Sequence, residues 1–121
     1  MNDCTLINAR LINPESGQVT NGGLVIRNGH IADVLPLDAR PDGPIIDCDR
    51  KYLAPGIVDL GVKVCEPGER HKESYRSAGL AAAAGGVTTM ITRPDTTPAI
   101  DNPETLEFVT RRANEAAPVN V

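Results

Sequence analysis

The order of elements after residue 53 most restricts what this chain can fold into. "GIVDLGVKV" reads as a strand, and "HKESYRSAGLAAAAGG" reads as a helix rich in Ala, the best helix former, with Gly85-Gly86 as its stop. "VTTMIT" is a β-branched strand. "DNPETLEFVTRRANEAA" is a second helix that Asp101 or Asn102 can cap, with Pro103 in its first turn and Glu104 at its positive end. Its Leu106, Val109, Ala113 and Ala116 form one apolar stripe, and "PVNV" begins a further strand. Parallel strands cannot be joined by a tight turn, so this βαβαβ order predicts a parallel sheet with right-handed helical crossovers.

Residues 1–53 have a different period and read as all-β. "CTLINARLIN" is a strand pair or one bent strand. In "GLVIRNGHIADVL" the Asn28-Gly29 dipeptide separates two apolar runs and accepts the positive φ angles of a two-residue hairpin turn. "DARPDGP" is a loop, and "IIDCDRKYLAPG" is a short strand followed by a turn. The expected organisation is therefore a β segment over 1–53 and an α/β part over 54–121.

Composition excludes several partners. The chain has 121 residues and a formal charge of -4, so it lacks the clustered basic charge that nucleic acid requires. No stretch is long and apolar enough to span a bilayer, and "MNDCTLINAR" lacks the basic start and apolar run of a signal peptide. Cys4, Cys48 and Cys65 are an odd set with no C-x-x-C spacing, which fits reduced thiols in a cytoplasm. With only Tyr52, Tyr75 and Phe108 as aromatics, the core must come from Val, Ile, Leu and Ala. "AAAAGG" lacks the Lys-Ser/Thr of a P-loop and ends a helix instead.

The chemistry-bearing stretch is "APGIVDLGVKVCEPGERHKE", where a strand runs into a Pro-Gly turn. Alternation along a strand predicts that Asp59, Gly61, Lys63 and Cys65 share one face. From Leu53 to Val109, "EPG", "HKE", "AAAAGGVTT", "PDTTPAID" and "PE" follow in an order and spacing that resemble the dihydroorotases of the amidohydrolase superfamily. The opening "NARLINPESG" and "VIRNGHIADV" resemble that superfamily's N-terminal β segment. The resemblance implies an α/β protein with an N-terminal β-sandwich segment, followed by the first βαβαβ units of an incomplete TIM (β/α)8 barrel. A whole barrel takes roughly 250 residues, so only its beginning is expected here, with the last strand cut short at Val121.

By the same resemblance, the first barrel strand of a working member carries D-x-H-x-H-x-R, whose two imidazoles hold zinc. Here the pattern reads D-L-G-V-K-V-C. Asp59 remains, Gly61 and Lys63 stand at the histidine positions, and Cys65 stands where the substrate-binding arginine would be. Asp95, in "RPDT", matches the asparagine that shares that task. Gly61 has no donor atom, and Lys63 ligates only after losing a proton that a lysine ordinarily holds up to a pH of about 10.4. Without the ion, nothing lowers the pKa of an attacking water. A thiol and a repelling carboxylate also make poor anchors for an anionic substrate. These five residues read as a vestigial site with no catalytic residue and no metal. An ion pair between Asp59 and Lys63 across the emptied position is one expectation.

Other candidates have plain readings. His71 suits a solvated helix start better than a general base, and His30 follows a hairpin turn. Cys65 reads as a small filler more readily than as a thiol activated by Lys63. The functional expectation is a catalytically inactive dihydroorotase-like protein of pyrimidine biosynthesis, needing no cofactor. By family resemblance it would be a structural or assembly partner of aspartate carbamoyltransferase in a homo- or hetero-oligomer. The alternative is an active zinc-dependent cyclic amidohydrolase whose ligands lie outside these residues. A free-standing binding module is a third reading, whose open strand edge would promote dimerisation or aggregation.

Overall fold

The structure, a computed structural model, describes residues 3–121, which divide into two compact units between Pro55 and Gly56. The first unit is a five-stranded mixed sheet. It contains β1 (Cys4–Ile12), β2 (Val19–Arg27), β3 (His30–Leu35), β4 (Ile45–Asp47) and β5 (Tyr52–Leu53). The order is β3-β2-β1-β4, with β5 also pairing with β1. β1 is antiparallel to β2 and parallel to both β4 and β5.

Local chemistry sets these pairings. Asn28 and Gly29 both take positive φ, at 51° and 78°, and close the β2–β3 hairpin as the dipeptide predicts. β1 is one bent strand, because its register slips between Leu6 and Ala9 and Asn8 sits at φ 53°. The Asn8 amide donates to Asp47 Oδ1 at 3.0 Å, tying the bend to the end of β4. "IIDCDRKYL" is two short strands rather than one. Asp49 and Arg50 turn left-handed between them, and the Arg50 N–H donates to the Asn8 carbonyl at 2.8 Å.

The second unit has the order β6 (Ile57–Val62), α1 (Tyr75–Ala84), β7 (Val87–Thr92) and α2 (Pro103–Ala116). β6 and β7 are parallel, as the crossover requires. Beyond α2, Asn120 forms a parallel bridge to Thr89, which is the start of the strand expected at "PVNV". The core is Val64, Tyr75, Ala78, Met90, Val109 and Ala113. On the other side of the sheet Leu60 and Ile91, partners in register, are 77% and 49% exposed. That face is bare among the described residues, whereas a parallel sheet is normally covered on both sides.

One helix boundary differs from the sequence reading, and at the other the structure selects between the two caps the sequence offered. α1 starts at Tyr75, not in "HKE", because Ser74 caps it. The Ser74 hydroxyl accepts from the Ser77 N–H, and the Ser77 hydroxyl accepts from the Ser74 N–H, a reciprocal pair that fixes the first turn. Asn102 rather than Asp101 caps α2, accepting from the Thr105 N–H at 2.9 Å. Val109 and Ala113 of the apolar stripe are buried, while Leu106 is 55% exposed. No helix of the described residues is long and apolar enough to cross a membrane.

Candidate functional site

Of the residues singled out by the sequence, Lys63 and Asp95 meet just beyond the ends of β6 and β7, the side of a parallel sheet where ligands usually bind. β6 reaches that point through a bulge. Leu60 pairs with Ile91 and Val62 with Thr92, so Gly61 is an extra residue. Its φ is +92°, a conformation that L side chains rarely adopt, and an added Cβ would meet nothing within 4 Å. Backbone geometry rather than crowding therefore selects glycine here.

The bulge corrects the expectation that four alternate residues share a face. Asp59 is in register with Met90, a core residue, while Gly61 interrupts the alternation before Lys63 and Cys65. The expected Asp59–Lys63 ion pair is therefore absent among the described residues. Lys63 Nζ instead lies 3.2 Å from Asp95 Oδ2, beyond the end of β7. Arg93 Nη2 reaches the same oxygen at 2.8 Å. The Lys63 hydrogen bond, with the Arg93 charge behind it, holds the Asp95 carboxyl below the usual carboxylate range.

The loops carrying these charges also meet through backbone. The Thr97 N–H donates to the Pro67 carbonyl at 3.5 Å. A Cβ on Gly68 would lie 2.1 Å from the Thr97 carbonyl oxygen, so only glycine allows this approach. Within the second loop the Thr96 hydroxyl donates to the Pro98 carbonyl at 2.7 Å, and the Ile100 N–H donates to that of Pro94 at 3.0 Å.

A second charged cluster lies beside this one, and the sequence reading missed it. Glu66 is 3% exposed. Its Oε1 accepts from Arg112 Nε at 3.0 Å and lies 3.7 Å from Arg70 Nε, while Oε2 accepts from the Tyr75 N–H at 3.1 Å. One carboxylate thus joins the strand-end turn to the start of α1 and the middle of α2. It also raises the Arg112 pKa, chiefly through that hydrogen bond. Glu66 and Arg112 are 46 positions apart, and no local pattern signals their meeting. Arg93 was also missed, although its place two residues before Asp95 in "RPDT" is a local signal.

The remaining candidates are bystanders. His71 is exposed in the turn before α1, with no hydrogen bond or ion pair among the described residues. Its neighbours Glu69 and Lys72 pair with each other. His30 is exposed at the start of β3. Cys65 is a half-buried free thiol, and its carbonyl accepts from the Glu69 N–H at 2.8 Å.

These donors do not fit zinc. Gly61 supplies no atom, and the Lys63 ammonium is a cation already held by a carboxylate. Among the described residues no three His, Cys, Asp or Glu side chains gather closely enough to hold a metal ion. Both cations reach the Asp95 carboxylate through one oxygen, Oδ2.

Comparison with known proteins places this geometry. The family model described as dihydro-orotase-like matches residues 50–121. A dihydroorotase from Anaplasma phagocytophilum is 41% identical over 95% of this chain and 27% of its own length. One from Bacillus cytotoxicus is 39% identical over 94% of this chain and 26% of its own. The chain thus spans about a quarter of the length of the curated relatives it matches. Among solved structures, an L-hydantoinase (dihydropyrimidinase) from Arthrobacter aurescens superposes with a TM-score of 0.82 at 24% identity. That match covers 98% of this chain and 26% of the hydantoinase. A D-hydantoinase gives 0.75 at 25% identity, with the same coverage of each chain. The architecture is accordingly an N-terminal β-sandwich segment followed by the opening βαβαβ of a (β/α)8 barrel.

Proposed function

The chain belongs to the dihydroorotase-like family of the amidohydrolase superfamily, and from that premise we propose that it is a catalytically inactive member. In this reading it serves pyrimidine biosynthesis in the cytoplasm as a structural or assembly partner of aspartate carbamoyltransferase. One observation supports the loss of catalysis: the ammonium of Lys63, at the position that the family resemblance gives to a metal ligand, is bound to Asp95 at 3.2 Å. Electrostatics supports it, because a protonated Lys63 repels a divalent ion from the place such an ion would take. Without an ion there is no route here to hydroxide near neutral pH. The substitutions at Cys65 and Asp95 act in the same direction on the substrate side. A thiol replaces a bidentate anchor, and a carboxylate faces an anionic ligand. The core and the buried Glu66 cluster give the fold supports that do not involve the altered positions. The partnership is a proposal by family resemblance.

The test uses the full-length polypeptide. We expect no ring opening of dihydroorotate with or without added zinc, no stoichiometric zinc in metal analysis, and co-purification with aspartate carbamoyltransferase. Turnover that depends on zinc would overturn the inactive reading, and failure to associate would overturn the assembly role. A second reading, a working zinc-dependent hydrolase with ligands outside these residues, is favoured by the 41% identity to a protein named dihydroorotase. The same turnover assay decides between the two.

A further inference from the structure

We propose that Lys63 is a positioning residue matched to Asp95, and that this pair fastens the 93–100 loop to the end of β6 where an ion would otherwise organise the strand ends. The inference rests on the metal-free reading above and deepens it, since it assigns the altered residues a job rather than only a loss. Three observations converge. Lys63 and Asp95 lie on different loops, 32 residues apart in sequence, and meet at 3.2 Å. Arg93 holds the same Asp95 oxygen at 2.8 Å from within the loop, which orients the carboxylate toward Lys63. The backbone contacts from Thr97 to Pro67 and Gly68 lie in the same two loops, so the charge pair and the backbone approach act on one joint.

The pairing is also chemically specific. Reversal of either charge alone would place like charges together: a carboxylate at 63 would face Asp95, and a cation at 95 would face Lys63 and Arg93. A glycine with an asparagine-like neutral partner would leave the joint to backbone contacts alone. The residue at 63 therefore needs reach and positive charge, and the residue at 95 needs negative charge.

The experiment is amide hydrogen exchange on the full-length protein, read at Thr97 and Ile100. The variants are Lys63→Met, Asp95→Asn, the two combined, and Lys63→Arg. Side chains this exposed couple weakly, so each single change should speed exchange at these amides by roughly two- to fivefold. The combined variant should be no faster than either single one, and Lys63→Arg should retain protection. Additive effects, or no change in Lys63→Met, would overturn the pairing. A parallel arm adds a chelator to the unaltered protein, and protection should persist. If the chelator loosens the loop, an ion holds it, and the metal-free reading fails together with the pairing. Additivity with chelator resistance sinks the pairing alone.

Discussion

Glu66 and Asp95 present the same chemistry in two settings. Each is a carboxylate approached by two cations: Arg112 and Arg70 for Glu66, Lys63 and Arg93 for Asp95. The Glu66 side chain is 4% exposed and that of Asp95 is 40% exposed. Water decides the difference. Around Asp95 solvent and salt screen the attraction, and long side chains lose entropy when fixed, so such a pair contributes little. Around Glu66 little water remains to replace a lost partner, so breaking the cluster is costly whatever its net contribution. The buried cluster therefore holds the unit together, while the exposed one only positions a loop.

The largest expected effect tests that contrast directly. Glu66→Ala strips the partner from Arg112 and from the Tyr75 N–H at once, and should cost about 3 kcal/mol of stability, read from urea unfolding. A cost no larger than that of Asp95→Asn would erase the distinction between the clusters. Next is Gly61→Ala, which should cost about 1 kcal/mol in the same assay, from the positive φ alone because the added Cβ has open space. A neutral result would mean that β6 can straighten, and Lys63 would then lose its stated path to Asp95.

The smallest effect is in the pH dependence. The folded-state pKa of Asp95 is depressed below its ordinary 3.8. Its contribution is therefore present above that value and is lost as pH falls through the lower folded one. The melting-temperature difference between the protein and Asp95→Asn should be small near neutrality and vanish in strong acid. It should also shrink in molar salt, where the screening length is about 3 Å. A difference that persists in acid would assign Asp95 a role other than charge.

Much of this was legible in the sequence. Asn28-Gly29 states its hairpin, Pro103 after an Asn marks a helix start, and the alternation of strand and helix dictates parallel pairing. Lys63 and Asp95 both stand out in the sequence, by the family resemblance, as departures from its site pattern. Their meeting was not, because a single extra residue at Gly61 shifts the phase of the strand and defeats any count by twos. The exposure of Leu106 also escaped a periodic reading, since periodicity gives a helix face but not what covers it. The Glu66–Arg112 contact depends on how α2 lies across the turn after β6, which only tertiary packing defines.

The backbone at Gly61 also bears on how such a protein changes over generations. On the metal-free reading proposed above, a histidine placed there would first meet a main chain shaped for a residue with no side chain, and it would gain nothing while an ammonium sits two positions on. Replacing that ammonium first would leave Asp95 without its cross-loop partner and still bring no ion. On that reading each single step toward an ion site is unrewarded, and building one requires several coordinated changes at once.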